Sequence, residues 1–344
     1  MKILENISLK ELTTFKTGGR ARFFCVAKNI LEIVTAIDFA RLRKQPLFVL
    51  GGGSNILVSS AGFSGLVLKI DILGVEFIEK TGAKVEVIAG TGENWDNLVN
   101  LTVAKNLHGL ENLSLIPGSV GSAPVQNIGA YGAEISSVIS FVEVFDQKTL
   151  KLKILKNKDC RFSYRDSVFK TKAGKKFIIT RVGFLLKKAN KKIMFKTAYP
   201  DLQEWLKKEK ISHPTVSEIR RAIVSIRTNK LPDLNQFGTA GSFFKNPIID
   251  NIQFQKLKVK FPDLPGVSVN KNKVKIFLAW VLDKICDLKG FSIGKVGLHE
   301  KQPLVIVNYG GATAEEIKSF AKKIADIVKE EIGLEIEREV EYVG

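Results

Sequence analysis

The run Ile116-Pro117-Gly118-Ser119-Val120-Gly121-Ser122-Ala123-Pro124-Val125-Gln126-Asn127-Ile128-Gly129-Ala130-Tyr131-Gly132 constrains the fold more than any other stretch of the chain. Side chains this small let one backbone approach another closely, and the prolines and glycines keep the run out of a helix or a regular strand. So many small residues in succession imply main chain pressed against something flat or charged. A second stretch has the same character: the apolar residues Leu47, Phe48, Val49 and Leu50 lead straight into Gly51-Gly52-Gly53-Ser54-Asn55. A buried strand that ends in a glycine loop turns main-chain amides toward an anion. Neither loop is followed by Gly-Lys-Ser/Thr at P-loop spacing, and neither matches GxGxxG inside a βαβ unit, so the standard nucleotide folds are not indicated. Amides at 51–55 and 118–122 could instead form two anion nests, which suits a diphosphate joining two halves of a dinucleotide. Tight turns alone are the plain alternative.

The rest of the chain reads as mixed structure. Ile30, Ile33, Val34, Ile37 and Ala40 have helical spacing and lead to a basic end at Arg43. Strand signals follow at 66–68, 75–78 and 85–88, broken by Gly74, Gly82 and Gly90; 94–106 returns to helix, and strands resume at 142–145 and 177–186. The lysine-rich stretch 187–211 reads as a connector with one short helix over 201–208, and the amphipathic segment 217–228 opens a third unit. Thr313 and Glu316 form a capping box for a helix through Ile317, Phe320, Ile324 and Ile327 that stops at Gly333, and Leu334 to Val343 reads as a strand. The class is α+β throughout. At 344 residues the chain exceeds one hydrophobic core, so two or three domains are expected.

A balance of 53 Lys+Arg against 35 Asp+Glu leaves +18, which favours anionic partners. The runs Lys187-Lys188, Lys191-Lys192, Lys207-Lys208-Glu209-Lys210 and 256–260 read as solvated faces, without the aromatic interleaving that nucleic-acid modules use for stacking. No nucleic-acid partner is therefore expected. Cys25, Cys160 and Cys286 are far apart and odd in number, which supports neither a disulfide framework nor a metal site and fits a reducing cytoplasm. His108, His213 and His299 have no paired ligand spacing, and no metal is expected. The polar start MKILENISLKELTTFK is unlike a signal peptide, and no run of about eighteen apolar residues is present, so no membrane attachment is expected.

The segment Thr239-Ala240-Gly241-Ser242-Phe243-Phe244-Lys245-Asn246-Pro247 gathers a hydroxyl, an ammonium and an amide. Gly241 permits a close backbone approach and Pro247 bars a helix, so Ser242 is expected on a fixed turn. Such a loop suits an anion and a proton. By itself it also suits an ordinary turn.

Taken in order and spacing, LGGGSNIL (50–57), GLENLSLIPGSVGSAPVQNIGAYG (109–132), CRFSYRDSVFK (160–170), RTNKLPD (227–233), GSFFKNP (241–247), LKGFSIGKVGLHEKQPLVIVN (288–308) and EREVEYVG (337–344) resemble the UDP-N-acetylenolpyruvoylglucosamine reductase family nearly end to end. The length and the segment near Tyr199 are similar to the longer, first type of that family. The resemblance implies a two-part FAD-binding module of the vanillyl-alcohol-oxidase (PCMH-like) kind, with residues 1–69 joined by the terminal strand 334–344 as one part and 70–211 as the other. A separate α+β substrate domain would cover 212–333. FAD would be held without a covalent bond, since no cysteine or histidine stands in the loops concerned. Gly51, Gly52, Gly53, Ser54 and Asn55, with Pro117, Gly118, Ser119, Gly121, Ser122 and Ala123, would form the pyrophosphate cradle. Gln126, Asn127, Gly129, Ala130, Tyr131 and Gly132 would face the ribityl chain and the isoalloxazine ring.

The same resemblance implies reduction, by NADPH, of the enolpyruvyl ether of UDP-N-acetylglucosamine-enolpyruvate to UDP-N-acetylmuramate, a step of peptidoglycan precursor synthesis, by a cytoplasmic monomer. That chemistry needs a hydride at the terminal carbon, delivered through N5 of FAD, a proton at the adjacent carbon, and stabilisation of the charge that spreads into the carboxylate. Ser242 resembles the proton donor of the family, and Arg165 would hold the substrate carboxylate in a guanidinium fork. Glu339 resembles the third catalytic group; set beside a carboxylate, an acid keeps its proton more firmly and can donate to the enolate. Lys230, Asn246 and Gln302 look like contacts to the sugar nucleotide and its diphosphate, Tyr199 like an aromatic residue closing over it, and Tyr164 and Lys245 like helpers. The chain departs from the family pattern at Thr239, where a relative has asparagine, and at Val267, where an aromatic residue is found. Two other readings fit the residues less fully: an oxidase of the same flavin fold, and a basic nucleic-acid-binding protein.

Overall fold

The computed structural model describes residues 1–190 and 193–344, so the Lys191-Lys192 run lies outside the described residues. The chain forms two compact units, one from residues 1–7, 21–52 and 64–229 and the other from 8–20, 53–63 and 230–344.

In the first unit, strands β1 (Leu4–Ser8), β2 (Arg20–Ala27), β3 (Leu47–Leu50) and β5 (Phe63–Ile70) form a sheet in the order β1-β2-β5-β3. β3 runs parallel to β5 from the pair Leu47↔Leu66 to Leu50↔Lys69. Helix α1 (Ile30–Leu42) begins where Asn29 Oδ1 accepts the Glu32 N–H at 3.0 Å, and its apolar stripe of Ile33, Ala36, Ile37 and Ala40 joins a core with Phe23, Cys25, Leu66 and Leu68.

A second, antiparallel sheet has the order β12-β11-β13-β7-β6, with β8 also paired to β13. Its strands are β6 (Val75–Lys80), β7 (Lys84–Gly90), β8 (Leu107–His108), β11 (Ile139–Asp146), β12 (Lys151–Lys156) and β13 (Phe177–Lys188). β13 is central and buries Ile178, Ile179, Val182, Phe184 and Leu186. Helix α2 (Trp95–Ala104) packs Trp95, Leu98 and Val99 into the same core, and the Trp95 indole N–H finds the Leu113 carbonyl at 2.9 Å. A short hairpin of β9 (Gly129–Ala130) and β10 (Ala133–Glu134) carries the end of the small-residue run.

Helices α3 (Pro200–Lys208) and α4 (Val216–Lys230) share a small core of Leu202, Leu206, Ile219, Ala222 and Ile223. This differs from the expected boundary at 212. The apolar face of α4 is matched by that of α3, so the helix stays with the first unit, and the chain passes to the second only at residue 230.

In the second unit, β4 (Ile56–Val58) pairs in parallel with β20 (Glu341–Val343). Strands β14 (Ile248–Asp250), β15 (Gly266–Asn270) and β16 (Lys273–Ile276) form one sheet in the order β14-β16-β15, and β17 (Ser292–Ile293), β18 (Val296–His299) and β19 (Gln302–Asn308) form another. Helix α5 (Asn251–Lys260) follows β14, and α6 (Leu278–Trp280) runs on into a π-helical turn over Val281–Ile285. Helix α7 (Ala314–Ile332) has the expected capping box: Thr313 Oγ1 accepts the Glu316 N–H at 3.1 Å, and Glu316 Oε2 accepts the Thr313 N–H at 2.7 Å. Gly333, at φ 68°, closes the helix.

Two further expectations need correction. The strand expected over 334–343 is only three residues long, because the backbone of 337–339 is bonded instead to the loop at 243–245. Residues 8–20 and 53–63 belong to the second unit rather than to a module of 1–69. Phe15 is the reason for the first of these: it is fully buried, meets Phe243 edge to face at 6.2 Å, and its carbonyl accepts from Asn308 Nδ2 at 3.0 Å.

Among the described residues no helix is long and apolar enough to cross a membrane, and no cluster of His, Cys, Asp and Glu could hold a metal ion. Burial pushes the thiols of Cys25 and Cys286 up to about 11 and that of Cys160 up to about 12. Phe15→Ala is expected to destabilise the second unit by about 3–5 kcal/mol, the usual cost of emptying a fully buried phenylalanine site. Denaturant unfolding followed by circular dichroism checks this, and an unchanged midpoint would mean that the 8–20 segment is only draped over the unit.

Candidate functional site

In the first unit, the two glycine-rich stretches meet main chain to main chain. A methyl group on Gly52 would come 2.5 Å from the Gly118 Cα and 2.8 Å from the Ser119 nitrogen, so only glycine fits there. A methyl on Gly51 would lie 3.2 Å from Ser119 Oγ and from Ser122 Cβ. The 118–123 loop is fixed in turn to the segment before α2: the N–H groups of Val120 and Gly121 donate to the carbonyls of Glu93 and Thr91 at 2.9 and 3.0 Å, and Gly118 O accepts from Trp95 N–H at 3.1 Å. The Ser119 N–H donates to Ser122 Oγ at 3.1 Å, and those of Ser122 and Ala123 close the short turn. The anion nest read from the sequence is thus altered on this side. Amides 119 to 123 are engaged within the protein, so this loop supplies shape and a close backbone surface rather than a row of waiting donors.

The end of the small-residue run is tied to the Arg165 turn. Asn127 is buried at φ 46°; its Nδ2 donates to Glu134 Oε2 and to Ser163 O, both at 3.0 Å, and its Oδ1 accepts the Ser136 N–H at 3.1 Å. That side chain is spent on holding the loop, so Asn127 is a positioning residue here. Arg165 stands at φ 53°, a left-handed conformation that a side chain this large rarely adopts. Its Nη2 donates to Gly129 O at 2.7 Å, and its carbonyl accepts from Lys170 Nζ at 3.2 Å. The guanidinium carbon lies 5.3 Å from the centre of the Tyr164 ring. A methyl on Gly129 would press on Arg165 Nη1 at 3.1 Å, so the glycine makes room for the guanidinium.

Tyr131 and Tyr199, distant in sequence, meet edge to face at 5.0 Å. Asn112 Nδ2 joins their loops by donating to both Tyr131 O and Lys196 O at 2.9 Å. Beside them is a residue the sequence reading missed. Arg227, on α4, hydrogen-bonds Tyr131, and its Nε is enclosed and has no partner among the described residues. Burial pushes the guanidinium below its ordinary value, against the opposing pull of Tyr131 and Asp96. The Asp96 carboxylate is itself held by Arg220 through two bonds of 2.7 and 2.9 Å. An enclosed cation whose nearby carboxylate is already bound is arranged to receive an anion. The helical spacing of Arg220 and Arg227, two turns apart on one face, was the available signal.

In the second unit, three remote segments converge through main-chain bonds. Phe243 N–H donates to Leu304 O at 2.8 Å, Glu339 N–H donates to Phe243 O at 2.7 Å, and Lys245 N–H donates to Glu337 O at 2.9 Å. Ser242 thus sits on a fixed segment bridged to Val305 of β19, a bridge position in place of the turn expected from the sequence. Asn55 Nδ2 donates to Glu339 O at 3.2 Å, and the Glu341 N–H donates to Asn55 O at 3.0 Å. Ser242, Glu339 and the end of the first glycine loop are therefore brought together, whereas Arg165, Tyr164 and Tyr199 belong to the first unit. Gly53 is at φ 64°, where a methyl would lie 2.0 Å from Leu12 O. Thr239 Oγ1 accepts the Gly241 N–H at 3.2 Å, a local turn bond that an asparagine at this position also makes.

Lys245 Nζ lies 2.9 Å from Glu337 Oε2, and Asn246 Oδ1 accepts the Leu278 N–H at 2.9 Å at the start of α6. Gln302, at the start of β19, has its Oε1 enclosed without a partner among the described residues, an acceptor placed to receive a donor from elsewhere. Lys230 is the last residue of α4, and Val267 is exposed on β15. His108 Nδ1 lies 2.5 Å from Glu111 Oε1 and His299 Nδ1 accepts the Lys301 N–H at 3.4 Å, so both take part in local bonds.

Residues 21–149 match the FAD binding domain family, which places the chain in a flavin-binding class of protein. The glycine-only contact at Gly52 fits a cofactor that approaches the main chain closely. Residues 233–343 match the C-terminal domain of UDP-N-acetylenolpyruvoylglucosamine reductase. The reductase of Flavobacterium johnsoniae is 39% identical over 343 residues, covering 100% of both chains, and that of Pseudomonas aeruginosa is 39% identical over 339 residues, covering 98% of both. The chain belongs to the UDP-N-acetylenolpyruvoylglucosamine reductase family. The crystal structure of the Thermus caldophilus reductase, 24% identical, covers 100% of both chains with a TM-score of 0.69, which supports the α+β fold class with an FAD-binding module and a separate C-terminal domain.

Gly52→Ala is expected to yield protein that purifies without flavin, since the added methyl must displace the Gly118 backbone. The visible absorbance of the purified variant is the measurement, and a full flavin complement would show that the contact is dispensable.

Proposed function

We propose that this chain is an NADPH-dependent flavoenzyme that reduces the enolpyruvyl ether of UDP-N-acetylglucosamine-enolpyruvate to UDP-N-acetylmuramate. One observation carries the reading: Asn55, Ser242 and Glu339, nearly a whole chain apart, are linked through the Asn55–Glu339 and Glu339–Phe243 hydrogen bonds. The end of the first glycine loop is thereby tied to the main chain that carries the hydroxyl and the acid such a reduction needs. Full-length relatives known as UDP-N-acetylenolpyruvoylglucosamine reductases point the same way.

When bound, FAD supplies hydride transfer from NADPH to the terminal carbon of the substrate. The protein supplies the rest. Gly51 to Asn55 accommodates the cofactor diphosphate, and Gly118 to Ala123 and Gln126 to Gly132 give a backbone surface flat enough for the ring system. Arg165 holds the substrate carboxylate and takes up the charge that develops on it, a task for a permanently charged, planar group. Its bond to Gly129 O fixes the fork before substrate arrives, so little reorganisation remains at the moment of reaction. Ser242 gives its proton to the carbon next to the ether oxygen, and protonated Glu339 donates to the enolate oxygen. An unassisted alcohol is a weak acid, so its proton transfer needs the charge stabilisation that a cation supplies.

Lys230, Asn246 and Gln302 orient the sugar nucleotide, with the enclosed Gln302 Oε1 accepting from it. Tyr199 is the aromatic residue for the nucleotide, and Arg227, bonded to the Tyr131 that Tyr199 meets in the first unit, supplies a buried positive charge for it.

Purified protein is expected to be yellow and to consume NADPH only when the enolpyruvyl sugar nucleotide is present. In Ser242→Ala, rapid mixing should show bleaching of the flavin by NADPH at the normal rate and loss of the return of colour on adding substrate. An equal fall in both phases would make Ser242 structural. Arg227→Gln is expected to raise KM for the sugar nucleotide roughly tenfold or more, the worth of a hydrogen bond to a charged group. Steady-state kinetics at unchanged flavin content test this, and an unaltered KM would remove Arg227 from the site.

A further inference from the structure

The first unit contains a cavity of about 320 Å³ that uses none of the residues assigned to flavin or sugar nucleotide. Its walls come from the end of α1 and the turn after it, the start of β3, and the two turns that follow β11 and precede β13. Arg41, Lys44, Lys148, Lys175 and Lys176 line it, and no carboxylate does among the described lining residues. Ile37, Ala40 and Leu47 give it an apolar floor.

The adjoining carboxylate, Asp146, is already saturated. It is fully buried, accepts from Lys153 Nζ at 2.7 Å, lies 3.4 Å from Lys176 Nζ, and accepts the N–H groups of Lys148 and Thr149 at 2.9 and 3.4 Å. Burial opposes its ionisation, yet Lys153 and the two amides hold its carboxyl well below the usual carboxylate range. Its single negative charge is shared by Lys153 and Lys176, and none of its bonds reaches the side chains of Arg41, Lys44 or Lys148. The ammonium groups of Lys44 and Lys148 make no bond among the described residues, and the Arg41 guanidinium is bonded to the neutral carbonyl of Gln147. Cations at the end of α1 also complement its dipole, which accounts for Arg41 and Lys44. It does not account for Lys148, Lys175 and Lys176, which come from the second sheet. Like charges drawn from two layers into one concave space raise its potential and attract a counter-charge.

We propose that this cavity binds a small, multiply charged phosphoryl compound, of the class that includes inorganic triphosphate and nucleoside polyphosphates. Arg41 and Lys44 at the end of α1 and Lys148 in the turn after β11 meet its charge, and the floor takes any apolar part. β3 connects the cavity wall at Leu47 with Leu50, next to the first glycine loop, over about 10 Å.

The test uses the flavin-loaded full chain at fixed ionic strength, titrated calorimetrically with sodium triphosphate and separately with ADP. Binding is expected to weaken at least tenfold in the double variant Lys44→Gln/Lys148→Gln and to be unchanged in Lys207→Gln/Lys208→Gln, an exposed pair on α3 outside the cavity. Flavin content should be equal in all three proteins. In the unaltered protein, bound triphosphate should also slow acetylation of Lys44 and Lys148 relative to Lys207, read by mass spectrometry, which requires no variant to fold. Tighter binding of ADP than of triphosphate would assign the floor to a nucleobase, and weaker binding would assign the site to phosphoryl charge alone. Equal weakening by both lysine pairs, or no protection of Lys44 and Lys148, overturns the site.

Discussion

Gly52 rests against Gly118 with no room for one more carbon, and much of the first unit is arranged to keep that contact. β3 delivers Gly51 and Gly52 to it, while α2 and the segment before it anchor the other side through Trp95, Glu93 and Thr91. Gly121 repeats the rule one turn on, where a methyl would overlap Thr91 Oγ1 at 1.5 Å. A contact of this kind has little stabilising value in itself, because glycine surrenders more chain entropy on ordering than other residues. Its value lies in the shape it leaves, which explains why so much apolar core lies beneath so plain a surface.

The second unit solves a different problem by different means. There the side chains that matter are held by strands that are barely strands: single bridges such as Ser242↔Val305 and Phe244↔Arg338, reinforced by Phe15, Phe243 and Phe244 packed beneath. Isolated bridges restrain a backbone without burying both faces of it. Ser242 can be fixed in position while remaining accessible to a ligand.

The elements with strong local grammar were legible. The capping box of Thr313 and Glu316, the stripe along α1 and the apolar strand β3 each specify themselves within a few residues, and the structure has them where the pattern places them. The chemistry of the loops was legible as composition and as resemblance. What could not be read was anything set by partners far away in sequence. Leu334 to Val340 has strand-like alternation, but the bonds that 337–339 make with 243–245 come from tertiary placement. Phe15 looks like any apolar residue in a polar stretch until Phe243 and Asn308 meet it. Arg227 was passed over because a charge on an amphipathic helix reads as solvated, and only the enclosure of its Nε distinguishes it.

The chain crosses between its two units five times, at 7/8, 20/21, 52/53, 63/64 and 229/230. Neither unit is a continuous piece of polypeptide, and β4 must wait for β20, made last, before its parallel partner exists. During synthesis the ribosome therefore releases early segments long before the residues that complete their sheet, and closing such long loops is slow. No cut between the units can yield two self-sufficient fragments. The molecule has to mature as a whole, and the interval before its last strand docks is when it most needs protection from aggregation.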